Sequence, residues 1–166
     1  MRLGERDAKA IELAAMVGLD LTSAPIPGGA YSPAVLDGSM AYLSGQIPKI
    51  GGRVASLGPV GSEVTPAQAK EAAKVCALRL LGVLMTTFGS LDAVESVVRL
   101  NVFVQSAPGF DRHSEVADGA SELLAKVLQC EKGHARTAVG VLSLPKNASV
   151  EIDMTVAVKQ DWPGKS

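Results

Sequence analysis

From Ala67 to Phe88 the chain carries Ala72, Val75, Leu78, Leu81, Val83, Leu84 and Met85 around most of the circumference of one helix. A helix apolar on nearly every side has no face to give to water, so it must be packed between layers. Thr65-Pro66 supplies the N-cap and first-turn proline, and Gly89 the stop. A layered fold with a sheet beside this helix is therefore required.

The rest of the chain supplies that sheet. Ala30 to Val35 and Met40 to Ser44 read as two short strands joined at Asp37-Gly38, a hairpin turn signal. Val94, Val98, Leu100, Val102 and Val104 nearly alternate within Ala93 to Val104, which reads as a strand ended by Pro108-Gly109. Ala135 to Leu142 and Val150 to Lys159 close the fold as two more strands. His113 to Gln129 is a second helix, with Val116, Ala120, Leu123, Leu124 and Val127 on one side and charges on the other. A short amphipathic helix spans Glu5 to Val17, ending at Gly18, and Pro25, Pro27 and the following glycines break the chain after it. Ile50 to Gly61 reads as an irregular loop.

The order is helix, β, β, α, β, α, β, β. It predicts an α+β fold, a mixed sheet with two helices on one face, divided into an N-terminal extension over residues 1–27 and one domain over 28–166. Only a short extra helix is left to cover the other face, so association through that face is the economical expectation. At 166 residues and 47% hydrophobic content the chain can bury a normal core without staples. A net charge of -1 with 4% aromatics offers neither an electrostatic footprint nor a stacking platform, which disfavours nucleic acid as a partner. Cys76 and Cys130 have no CxxC partner and read as reduced, non-ligating thiols. Met1 to Gly18 resembles neither a secretory signal nor a membrane span, so a cytoplasmic protein with no membrane partner is expected.

One residue breaks the strand pattern. In His134-Ala135-Arg136-Thr137-Ala138-Val139-Gly140-Val141 a lone guanidinium sits among small and branched residues. It calls for a carboxylate, either in a buried ion pair or in a ligand. Glu151 is the obvious internal candidate. If Leu144 to Ala148 turn a hairpin, Glu151 lies opposite Val141 and Arg136 opposite Val156, about five residues or roughly 16 Å apart. The two are not expected to pair within one chain, which leaves a ligand or a neighbouring subunit. His134 shares strand parity with Arg136 and could enter the same cleft, although solvent is the commoner fate of such a histidine. No Ser/His/Asp triad follows from the spacing.

Five elements in order, the Tyr31-Ser32 strand start, Leu43-Ser44-Gly45-Gln46-Ile47-Pro48, Ala135-Arg136-Thr137, Leu144-Pro145 and Val150-Glu151-Ile152, resemble the Rid family, also called YjgF, from about Ala30 to Lys159. The resemblance implies a chorismate-mutase-like fold assembled as a homotrimer with sites in clefts between subunits. It also implies hydrolysis of 2-imino acids to 2-keto acids and ammonia without metal or cofactor. Carried over by position, Arg136 would grip the substrate carboxylate, Glu151 would help position the attacking water, Tyr31 would close the site and Ser44 would line it. Asp118 stands at a helical position where an asparagine often reaches the site.

The chain departs from the family at His134, where proline is common, and at Pro33, where glutamine is common. Its N-terminal extension is similar to that of a longer branch labelled endoribonuclease. Each residue also has a plainer reading: an intersubunit ion pair for Arg136, an outward strand charge for Glu151, strand packing for Tyr31 and Ser44, and a solvated helix face for Asp118. The alternatives to an imine deaminase are a trimer that binds a carboxylate metabolite without turnover, and an endoribonuclease.

Overall fold

A computed structural model describes residues 3–23 and 27–162, so Pro25 of the expected break lies outside the described residues. Helix α1 spans Glu5–Met16. Strands β1 (Ala34–Asp37) and β2 (Met40–Gln46) form the hairpin that Asp37-Gly38 signalled, Gly38 taking a φ of 60° in its turn. Strand β1 begins at Ala34, so Tyr31 and Ser32 lie in the approach to it rather than at its start. Within the expected loop a two-residue pair, β3 (Lys49–Ile50) and β4 (Arg53–Val54), folds as its own antiparallel ribbon.

Helix α2 (Pro66–Phe88) begins in a complete capping box: Gln68 N–H donates to Thr65 Oγ1, and Thr65 N–H to Gln68 Oε1. Such caps contribute roughly 1 kcal/mol. The helix ends at Gly89, left-handed at φ 79°. Strand β5 (Val94–Gln105), helix α3 (His113–Leu128), strand β6 (Ala135–Val141) and strand β7 (Val150–Val158) complete the chain.

The five-stranded sheet has the order β1-β2-β7-β5-β6. Strand β6 is not the hairpin partner of β7. It runs parallel to β5, with Arg136 opposite Leu100, and β7 lies on the other side of β5 with Glu151 opposite Phe103. The expected Arg136–Val156 and Glu151–Val141 oppositions are thereby corrected. A strand-helix-strand unit places its strands parallel, and β5-α3-β6 is such a unit.

Both long helices pack on one face, over Leu100, Val102, Val104, Val150, Ile152, Met154 and Val156, all 0–1% exposed. The helices approach so closely that a Cβ on Gly119 of α3 would collide with the Lys70 carbonyl oxygen of α2. Helix α1 joins this same helical layer, contributing Ala10 and Ala14 to the core, so it does not cover the opposite face. There Val35, Tyr42 and Val139 remain 56%, 49% and 40% exposed. The same face carries Arg99, Asn101, Thr137, Asp153 and Thr155, so it is a mixed surface with exposed apolar residues at its edges.

Candidate functional site

The sequence-predicted residues fall into two clusters. The first lies under α3 at the β6 edge. Arg136 pairs in register with buried Leu100, so its side chain points toward the helices rather than toward the open face. Its Nη1 donates to Asp118 Oδ1 at 2.8 Å and to Ser121 Oγ at 3.0 Å. These two acceptors are three residues apart on one face of α3. The carboxylate the guanidinium required is thus Asp118 of the same chain. Both of these bonds use one nitrogen; Nη2 makes only a 3.5 Å contact to the Ser114 carbonyl. The Nε/Nη2 edge is left for a planar, bidentate partner.

His134 borders this cleft rather than open solvent, its Nε2 at 3.0 Å from Ser121 Oγ. Burial, and then the charge of Arg136, push its pKa below the usual histidine value. A neutral imidazole therefore faces the guanidinium at neutral pH. The two residues border a cavity of about 490 Å³ whose remaining wall is largely the apolar side of α3.

The second cluster lies at the far end of the sheet, where β2 meets β7. Glu151 and Tyr31 line a cavity of about 280 Å³ with Arg79, Gln46, Lys49 and Lys146. Glu151 projects from the open face, because its neighbours Val150 and Ile152 are fully buried on the other. It lies across a bulge in β2, between Leu43 and Gln46, where Gly45 has no side chain to obstruct it. A Cβ at Gly45 would meet Glu151 Oε1. Half-burial, and then neighbouring Asp153, raise the carboxyl pKa above its ordinary value. Ser44 is a tether: its hydroxyl donates to Ser32 O at 2.7 Å and its N–H to Pro33 O at 2.9 Å. The segment carrying Tyr31 is thereby tied to β2, with the phenol oxygen accepting from Gly28 N–H at 3.2 Å.

Within one chain these clusters do not meet. Leu100 and Phe103 are three residues apart on β5, and β6 and β7 flank it on opposite sides. That is about 10 Å along and about 10 Å across, roughly 14 Å in all, with the side chains on opposite faces. Sequence reasoning missed Arg79 and Ser121. For Arg79 the signal was present: a single arginine within Val75 to Leu84, the same anomaly that marked Arg136.

Among the described residues no group of three or more His, Cys, Asp or Glu is placed to hold a metal ion, and no helix is long and apolar enough to cross a membrane. Cys76 and Cys130 are free thiols, and burial pushes the Cys76 thiol far up, so it stays protonated.

The α+β sheet with one helical layer and a bulged β2 over a β7 carboxylate defines the architectural class. The model of the family described as Endoribonuclease L-PSP matches residues 21–158, and the chain belongs to that family, the Rid or YjgF family. It is 42% identical over 143 residues to Protein TCP17 of Trypanosoma cruzi, covering 84% of this chain and 88% of that one. It is 32% identical over 137 residues to a 2-iminobutanoate/2-iminopropanoate deaminase of Dermatophagoides farinae, covering 82% and 91%. The crystal structure of Atu1372 from Agrobacterium tumefaciens, a protein described as of unknown function, superposes with a TM-score of 0.81 at 39% identity, covering 93% and 92%.

Proposed function

We propose that the protein is a cytoplasmic hydrolase converting small 2-imino or enamino acids to 2-keto acids and ammonia. Its sites lie in clefts between subunits of a homotrimer, each joining the Arg136 cluster of one subunit to the Glu151 cluster of the next. The observation that carries this reading is the Nε/Nη2 edge of Arg136, which among the described residues makes only the 3.5 Å contact from Nη2 to the Ser114 carbonyl while Nη1 is held by Asp118 and Ser121. That edge matches a substrate carboxylate. The open sheet face supports the assembly, and the similarity to the mite deaminase supports the reaction class.

In this reaction the carboxylate bound to Arg136 fixes the adjacent C=N carbon. Water adds to that carbon, Glu151 taking the water proton as the C–O bond forms. The C=N electron pair moves to nitrogen, which receives that proton back from Glu151 to give the carbinolamine. The carbinolamine hydroxyl proton then passes through Glu151 to the amino nitrogen as the C–N bond breaks, the carbonyl forms and ammonia leaves. A carboxyl whose pKa is raised above its ordinary value suits this exchange better than an ordinary one. Tyr31, Ser44 and His134 shape and position the pocket. No cofactor enters the scheme.

The test is a coupled assay in which an amino-acid oxidase generates 2-iminopropionate, followed by subunit mixing. Wild type should accelerate loss of the imine, and Arg136→Ala and Glu151→Gln should not. Co-refolding the two inactive variants should restore about a quarter of the activity, since each shared site draws either half with even odds. Mixtures with no recovery would place both residues outside a common intersubunit site.

A second reading, a trimer that binds carboxylate metabolites without turnover, is favoured by Asp118, which already neutralises Arg136. Calorimetric binding of 2-keto acids with no ammonia release would select it. The endoribonuclease suggested by the family's description finds no support in a net charge of -1.

A further inference from the structure

Arg79 has no carboxylate partner among the described residues, although it is half-buried and lines the same cavity as Glu151. Its Nε donates to Gln46 Oε1 at 3.1 Å and its Nη1 to the Lys49 carbonyl at 3.1 Å. Both acceptors are neutral. They aim the fork without cancelling its charge, and Gln46 is itself only 7% exposed, so the aim is fixed from within the fold. Nη2 makes no hydrogen bond among the described residues.

Lys49 and Lys146 border the same space, neither in an ion pair among the described residues, and Lys146 is held there in a left-handed turn at φ 55°. Against these three cations the cavity has one carboxyl, Glu151, which forms no ion pair with any of them. Lys146 is exposed, so the cost of removing a cation from water without a counter-charge falls on half-buried Arg79, and an anionic ligand would relieve it.

We propose that this cavity takes a second carboxylate of the substrate on Arg79, making the preferred substrates dicarboxylic 2-imino acids, with Arg79 as the residue that sets this specificity. The inference rests on the intersubunit reading in one respect: the first carboxylate goes to Arg136 of a neighbouring subunit. Arg79 then discriminates between substrates at their far end, remote from the C=N carbon. Its two neutral hydrogen bonds cost no charge, so the full guanidinium charge is available to the ligand.

Calorimetric titration with 2-oxoglutarate and 2-oxopentanoate tests this, because the two acids have the same chain length and differ in the second carboxylate. Wild type should bind 2-oxoglutarate about tenfold to a hundredfold more tightly, the range expected of one charge-assisted contact. In Arg79→Gln the ratio should fall to near one with 2-oxopentanoate affinity retained, and Arg79→Lys should fall between. Thermal denaturation identifies any variant that fails to fold. Equal affinities in wild type, a preference retained in Arg79→Gln, or no binding of either acid to wild type would overturn the proposal. Arg136→Ala should weaken both acids alike. If it weakens neither while Arg79→Gln abolishes the preference, the intersubunit reading fails and the Arg79 site stands.

Discussion

Arg136 and Asp118 are joined at 2.8 Å across the gap between β6 and α3, and the same arginine nitrogen also reaches Ser121. The side chains of the pair are 23% and 46% exposed, so solvent screens much of their attraction. A double-mutant cycle on Arg136→Ala and Asp118→Ala should give a coupling of about 0.2–1 kcal/mol in urea denaturation. A coupling well above that range would show the pair to be a pillar of the fold rather than a holder for the guanidinium.

Gly45→Ala should separate chemistry from stability. The added Cβ meets the Glu151 side chain from Cγ outward and no backbone atom, so the side chain can swing away and unfolding should change by less than about 1 kcal/mol. The carboxyl loses its place, and turnover of 2-iminopropionate should fall by on the order of a hundredfold, the usual contribution of a positioned acid or base. Retained turnover would remove Glu151 from the reaction.

The raised pKa of Glu151 has a definite sign in stability. The folded state holds the proton more tightly than the unfolded chain, so this carboxyl's stabilising contribution is full below its ordinary value of 4.5. It is lost as pH rises through the higher folded-state value. Glu151→Gln, which cannot ionise, should lack that loss and gain stability relative to wild type between pH 4.5 and neutrality. Melting curves taken across this range check it; parallel curves for the two proteins would contradict the shift.

Asp7 ties the N-terminal helix to the core. It is 2% exposed and accepts from Ser90 Oγ at 2.6 Å and Leu91 N–H at 2.7 Å. Asp7→Ala should therefore cost about 1–3 kcal/mol in urea denaturation, because the Leu91 N–H is left buried without an acceptor. Deamination should be unaffected at temperatures where the variant remains folded.

Gly119→Ala tests the helical layer. Here the obstacle is the Lys70 backbone carbonyl, which cannot rotate out of the way. Separating α2 from α3 should destabilise the protein by about 1–3 kcal/mol, and the denaturation midpoint should fall accordingly.

The elements were legible because their signals are local. Apolar periodicity located α2 and α3 to within a residue or two, and Gly89 and the Asp37-Gly38 turn marked their boundaries correctly. Strand order was not legible in the same way. The short interval between β6 and β7 suggested a hairpin, but β5-α3-β6 is a strand-helix-strand unit, and its parallel pairing inserts β5 between them. That one misplacement hid Asp118 as the partner of Arg136, since the arginine faces the helix rather than the neighbouring hairpin strand. Arg79 was hidden differently: a helix apolar all round invites the assumption that every position on it is core, whereas its one guanidinium reaches past the sheet end to Gln46.

The placement of Arg136 and Glu151 on opposite faces of one sheet ties the proposed chemistry to mass action. A lone subunit would own two half-sites and no whole one, so specific activity should fall on dilution along the association curve, before any unfolding begins. Expression level would then control output more steeply than in proportion, because a rise in expression increases both the number of chains and, near the dissociation midpoint, the fraction of them able to react.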